Sequence, residues 1–285
     1  MDNDVVLNVS GRLGNILFTV AAGVSYKIGH NKDNVYCVVD KYTVDNFGYL
    51  YDRYWKCFNL PPMLDRKLSC TVISGDLRQI YVPLPHVEGN VMLEHLVETE
   101  KYFHHKDIPR ELFQCPGDVE ANIRESFPHI DECVGISIRG GDYLKYQNVF
   151  LIPEINWYFD VYHKYFEGKK AIIFTDDIEY VTAEINKKGI DADWDKFVLY
   201  NPKRYGSDLY TIDNPIENLY TMALCRHHIC SCSTWAWWGA RLAERDDSVN
   251  IFPDKRFVSS SNIRSDDYIP DRWTKEKADY INPVV

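Results

Sequence analysis

The chain has 285 residues, 45% hydrophobic and 26% charged, which supplies a sizeable core and excludes a disordered or collagen-like protein. Its 32 Lys and Arg against 42 Asp and Glu leave a formal charge of −10, so no broad basic face is available for a nucleic-acid backbone. The start, Met1-Asp2-Asn3-Asp4, lacks a basic leader, and the longest weakly polar stretch, Ile16–Tyr26, falls short of the ~20 residues that span a bilayer; a soluble, cytoplasmic protein is expected.

Val5–Val9 reads as a strand entering Ser10-Gly11-Arg12-Leu13-Gly14-Asn15, after which Leu17, Val20, Ala21, Val24 and Ile28 recur with the period of a helix. A second strand is predicted at Val35–Asp40. From Lys41 to about Asn90 the chain is rich in Tyr, Pro and charge without a clean period, and loops and irregular pieces are expected. The pattern restarts at Val134–Ile138, a strand ending in Arg139-Gly140-Gly141-Asp142-Tyr143. A helix over about Pro153–Phe166, a strand at Ala171–Phe174 ending in Thr175-Asp176-Asp177, and a strand and helix within Arg226–Glu244 follow. Alternation of this kind predicts α/β units built on parallel sheets, divided into residues 1–130 and 131–285, with a late C-terminal segment of unassigned attachment.

The eight cysteines include no Cys-x-x-Cys, and neither Cys230-x-Cys232 nor His227-His228 has chelating spacing, so reduced core thiols and no structural metal are expected. Each glycine-rich or acidic junction has a plain and a functional reading. Gly11-Arg12-Leu13-Gly14-Asn15 is either a tight turn or a backbone cradle at a helix N-terminus, and it lacks the third glycine of the dinucleotide fingerprint. At a strand end Arg139 can fork onto a phosphate or simply pair with Asp142. Asp176 can bind a ribose hydroxyl, a base N–H or a cation, whereas Asp177 reads as a helix cap. Asp191-Ala192-Asp193 has the form of a metal-binding Asp-x-Asp but follows no buried strand, which points to a solvated loop. In Ser233-Thr234-Trp235-Ala236-Trp237-Trp238-Gly239-Ala240, the hydroxyls and first amides of a helix could hold a diphosphate, and the indoles read as core.

Taken in order, Gly-Arg-Leu-Gly-Asn, Ile-Arg-Gly-Gly-Asp-Tyr, Phe-Thr-Asp-Asp and Ser-Thr-Trp-Ala-Trp-Trp-Gly-Ala resemble the α-1,2-fucosyltransferase family. Its signatures run Gly-Gly-Leu-Gly-Asn-Gln, His-Val-Arg-Arg-Gly-Asp-Tyr, Phe-Ser-Asp-Asp and Ser-Thr-Phe-Ser-Trp-Trp-Gly-Ala. Glu98-Thr99-Glu100-Lys101-Tyr102-Phe103 is similar to its Gln-Ser-Glu-Lys-Tyr-Phe, and Ile251-Phe252-Pro253 to the strand after its Trp motif. The chain departs at Ser137 and Gly140, where the family has His and a second Arg, and at Ile16 in place of Gln; Arg12 gives the first loop a likeness to protein O-fucosyltransferases.

The resemblance implies a GT-B-like fold, two Rossmann-type domains facing a cleft, with acceptor on residues 1–130 and nucleotide-sugar on 131–285. It implies inverting transfer of L-fucose from GDP-β-L-fucose, as donor substrate and without cofactor or metal, to a glycan hydroxyl, the 2-OH of galactose foremost. Arg139 would hold the β-phosphate with Ser233 and Thr234. Asp176 would read the guanosine, Asp142 would orient Arg139 or the loop, and Arg12 and Asn15 would reach the glycosidic oxygen or acceptor. Glu98 is the candidate base, its alternative being a helix-surface carboxylate. Another nucleotide-sugar donor, or a silent glycan-binding relative, are the competing readings.

Overall fold

A computed structural model describes residues 3–39, 41–76, 80–193, 196–200 and 215–282, and they form two compact α/β units. The first holds the described residues up to Gln114, with Pro215, Ile216 and Ile263–Pro270; the second holds Cys115 to Tyr200, Glu217–Asn262 and the chain from Asp271. The division therefore falls at Gln114/Cys115 rather than near 130. The ring of Phe127, after helix Gly117–Ser126, lies 5.9 Å from that of buried Tyr200, which ties this stretch to the second unit.

The first unit is a four-stranded parallel sheet, in the order β2-β1-β4-β3, built from β1 (Val5–Val9), β2 (Val35–Val39), β3 (Thr71–Ser74) and β4 (Val91–Glu94). Helix α1 (Leu13–Gly29) crosses from β1 to β2 and buries Ile16, Leu17, Val20 and Ala21. The stretch from Lys41 is not irregular as expected, because Lys41–Cys57 is helix α2 and Thr71–Ser74 is β3. Among the described side chains of α2, Thr43, Tyr51 and Tyr54 are buried, followed by Phe58 just beyond its end, so the buried positions carry aromatic and hydroxyl groups rather than aliphatic ones. Edge strand β3 is largely exposed and shows no apolar run.

The second sheet has six parallel strands in the order β10-β9-β8-β5-β6-β7: β5 (Val134–Ile138), β6 (Ala171–Thr175), β7 (Phe197–Leu199), β8 (His227–Cys230), β9 (Asn250–Pro253) and β10 (Thr274–Glu276). All residues of the four central strands are buried, as expected of a sheet covered on both faces. Helix α3 (Ile108–Leu112) precedes α4 (Gly117–Ser126), α5 (Ile155–Phe166) and α6 (Ile178–Lys188) alternate with β5–β7, and α7 (Pro215–Leu224) and α8 (Thr234–Ala243) flank β8. Trp237 and Trp238 are fully buried; Trp237 lies 5.4 Å from Trp273, which stacks on Phe252 of β9. The attachment of the C-terminal segment is thereby settled: β10 extends the second sheet, while Ile263–Pro270 belongs to the first unit.

Candidate active site

At the carboxyl end of β5 the chain leaves the sheet at Arg139, whose side chain is held by two carboxylates. One guanidinium nitrogen lies 2.6 Å from Asp142 Oδ1 and the other 2.7 Å from Asp176 Oδ2. Asp176 stands at the end of β6, the neighbouring strand, and its other oxygen accepts the Gly140 N–H at 2.9 Å. The glycines make this closure possible. Gly141 has φ +44°, and a Cβ there would lie 2.2 Å from Asp176 Oδ2; a Cβ on Gly140 would sit 2.9 Å from both Asp177 Cβ and the Tyr180 ring. The carbonyls of Gly140 and Asp142 then accept from Tyr143 and Lys145 N–H groups, which fixes the turn, and Arg139 lies 5.1 Å from the centre of the Tyr143 ring.

Asp177 is the N-cap of α6, its carboxylate accepting the Tyr180 N–H at 3.0 Å. Between β5 and β9 lies β8, whose end leads through Ser231-Cys232 to Ser233. Ser233 is the N-cap residue of α8 in extended backbone conformation, but its hydroxyl makes no capping bond. The α8 N-terminus, with Ser233 and Thr234, thus follows the carboxyl end of β8, the strand next to β5, whose end leads to Arg139. Ser137, at the family's His position, is buried, and its hydroxyl lies 3.3 Å from that of Ser231. Asp191 and Asp193 are exposed, Asp193 pairing with Lys196 at 2.9 Å.

Arg139, Asp142 and Asp176 are therefore one cluster, with Ser233 and Thr234 on the adjoining strand end. Arg12, Asn15 and Glu98 belong to the first unit. Gly11 has φ +77°, with Asn15 packed so that a Cβ would come within 2.6 Å of its amide nitrogen. Arg12 is exposed at the N-cap of α1, its carbonyl accepting from Asn15 and Ile16 N–H groups, and Tyr51 of α2 donates to the Gly11 carbonyl at 3.0 Å. Glu98 lies half-buried in the loop after β4, before the single turn Glu100–Tyr102, rather than on a helix. Two features escaped the sequence reading. The amide of Asn8 donates to Glu94 at 3.2 Å across β1 and β4, and the Tyr51 bond supports the glycine loop; position at a strand end was the available signal for the first, and none existed for the second.

Comparison with known proteins gives this arrangement its context. Residues 90–277, well over half of the chain, match the Glycosyl transferase family 11 profile. The chain belongs to that family. It is 24% identical over 95% of its length to an alpha-1,2-colitosyltransferase of Escherichia coli, covering 98% of that protein. In structure it is similar to the fucosyltransferase NodZ from Bradyrhizobium, with TM-score 0.53 and 11% identity over 84% of this chain and 92% of that one. A crystal of NodZ alpha-1,6-fucosyltransferase soaked with GDP-fucose aligns over 92% of this chain and 97% of that one, again with TM-score 0.53, at 12% identity. This family 11 glycosyltransferase thus has a GT-B-like fold of two parallel-sheet units. Among the described residues no helix is long and apolar enough to cross a membrane.

Proposed function

We propose that the protein is an inverting transferase that moves L-fucose from GDP-β-L-fucose to the 2-OH of a galactose. The observation carrying the donor half is the Arg139 cluster beside the α8 N-terminus, at adjoining carboxyl ends of a parallel sheet. Inverting transfer through an oxocarbenium-like transition state places negative charge on the departing diphosphate, and fixed donors aimed at it lower the barrier. Arg139 supplies a forked cation held in orientation by Asp142. Ser233, Thr234 and the first amides of α8 supply neutral donors. Asp176 would read the guanosine with the lone pairs left on its oxygens, each of which is engaged once, by Gly140 and by Arg139. On the acceptor side, Arg12 and Asn15 sit on the stiffened turn after β1, and Glu98 remains the candidate base.

A second donor is favoured by one observation, the α-1,2-colitosyltransferase among the relatives, because colitose is the 3-deoxy counterpart of L-fucose. The two readings share the α-1,2 linkage and differ at a single hydroxyl of the sugar. A site that hydrogen-bonds that hydroxyl discriminates strongly against the sugar that lacks it, whereas an apolar pocket discriminates weakly.

Thermal shift with GDP, UDP, ADP and CMP tests the nucleotide, since a ligand held by the folded state raises stability by mass action. GDP alone should raise the melting temperature; a preference for UDP or CMP rejects the reading. Incubation of a β-galactoside with GDP-fucose and GDP-colitose in competition then identifies the sugar, and linkage analysis of the product the hydroxyl.

A further inference from the structure

One cation is too few for the donor site described above. Arg139 is matched by two carboxylates at 2.6 and 2.7 Å, so this cluster is net negative before any diphosphate arrives. Stabilising a leaving diphosphate requires further fixed positive charge. Position 140 cannot provide it, because even a Cβ there would lie 2.9 Å from Asp177 Cβ and the Tyr180 ring.

Two strands away, β9 ends at Pro253 and runs into Asp254-Lys255-Arg256. The sheet order sets Arg256, Ser233-Thr234 and Arg139 at the ends of β9, β8 and β5, so the outer two strands lie ~10 Å apart with the α8 N-terminus between them. Arg256 is only 7% exposed. Its backbone is anchored: its carbonyl accepts the Leu151 N–H at 2.9 Å, and the preceding carbonyl, of Lys255, accepts the Cys232 thiol at 3.2 Å. The guanidinium lies 4.6 Å from the centre of the Phe257 ring. That ring is followed by Phe150 at 5.5 Å and Tyr143 at a further 4.0 Å, and Tyr143 lies beneath Arg139. The Tyr143 hydroxyl in turn donates to the Cys232 carbonyl at 3.4 Å. Both arginines are thus built onto the same aromatic frame, which also holds the turn into Ser233. The charge of Arg256 bears on this turn: burial holds the Cys232 thiol up at about 12, with Arg256 opposing the rise and Asp254 adding to it. A cation in such low-dielectric surroundings attracts an incoming anion more strongly than a solvated one.

We propose that Arg256 is a donor-binding residue that contacts the β-phosphate of the nucleotide, the second cation of the site, placed on β9 because position 140 has no room for one. This rests on the GDP-sugar reading above.

Calorimetric titration of wild type, Arg256→Gln and Arg256→Lys with GDP and with GMP tests it. Arg256→Gln should weaken GDP roughly 10- to 100-fold and GMP less than ~3-fold, the loss expected of one charge-assisted bond to the β-phosphate. Arg256→Lys, which keeps the charge without the fork, should lose GDP affinity by a smaller factor, ~3-fold or more, with GMP unchanged. Equal weakening of both nucleotides marks a structural role and overturns the proposal, as does wild-type affinity for GDP in either variant. Should Arg256→Gln not fold, the GDP-to-GMP ratio of Arg256→Lys decides alone, an unchanged ratio overturning it. A wild-type protein that binds neither nucleotide overturns the GDP-sugar reading and this assignment with it; wild-type GDP binding with indifferent variants overturns only the assignment.

Discussion

Arg139 sits between Asp142 and Asp176, and this fixes what its removal does. In the proposed donor site, Arg139→Ala would delete the donor to the β-phosphate and leave two partly exposed carboxylates, Asp142 and Asp176, without their cation. A charge-assisted hydrogen bond contributes about 1.5–3 kcal/mol, so GDP affinity should fall at least 10- to 150-fold, while GMP, without the β-phosphate, loses far less. Calorimetry with both nucleotides measures the split. Gly140→Arg, which restores the family's second arginine, should lower stability by about 1–3 kcal/mol in urea unfolding, because its Cβ would be 2.9 Å from Asp177 Cβ and the Tyr180 ring. The acidic residues also bear on metal dependence. Asp176 is engaged by Arg139 and Gly140, Asp177 caps α6, and Asp193 pairs with Lys196, so transfer is expected to survive excess EDTA. Activity lost to EDTA and restored by Mn²⁺ would reinstate these aspartates as ligands. At this scale the sequence carried a good deal: Arg139, Asp142 and Asp176 stood at strand ends in the text. That they form one ion-paired cluster depends on β5 and β6 being neighbours, a pairing no local pattern encodes.

Secondary elements hold these residues through bonds that cross long stretches of chain. Glu244, just after α8, accepts from Arg272 at 2.8 Å and from the Trp273 indole at 2.7 Å, and lies 3.3 Å from Arg241. Burial raises its carboxyl pKa, but these bonds and charges outweigh burial and leave it below the ordinary 4.5. A folded pKa below the unfolded value gives stabilisation that is present at neutral pH and lost as pH falls through the folded value. Glu244→Gln should therefore be less stable than wild type at pH 7 in urea unfolding, and the difference should close as pH is taken below 4.5. In the first unit, Tyr51→Phe removes the bond to the Gly11 carbonyl, which should cost about 0.5–1.5 kcal/mol of stability. If that bond also positions Arg12 and Asn15, kcat falls while GDP affinity stays within a few-fold, as calorimetry beside steady-state transfer would show. Helix α2, which carries Tyr51, is the element least visible in the sequence. Its described buried positions, Thr43, Tyr51 and Tyr54, all carry hydroxyls, and no aliphatic period marks the helix, whose Tyr51 stacks on Trp55 at 5.6 Å.

Over the whole chain, the two units are not consecutive pieces. Asp267 accepts the Tyr81 N–H at 2.8 Å and pairs with Lys101, and Tyr268, 2% exposed, lies 6.4 Å from Phe18 of α1. Tyr268→Ala should cost roughly 3 kcal/mol of core packing. Limited proteolysis should show it opening the first unit before the second, although residue 268 is near the C-terminus; first cleavage within β5–β9 would contradict this. The sequence by itself determined the α/β class, the glycine turns after β1 and β5, the buried tryptophans of α8 and the kinship written in four ordered motifs. Those are local properties, since period, turn chemistry and motif spacing depend on residues close in the chain. Tertiary structure alone decided the rest: the strand order that joins Arg139 to Asp176 and places Arg256 beyond Ser233, the return of Ile263–Pro270 to the first unit, and the crowding that leaves position 140 to glycine. Each depends on atoms brought together from distant parts of the chain, and the free energy of those contacts leaves no trace in local composition.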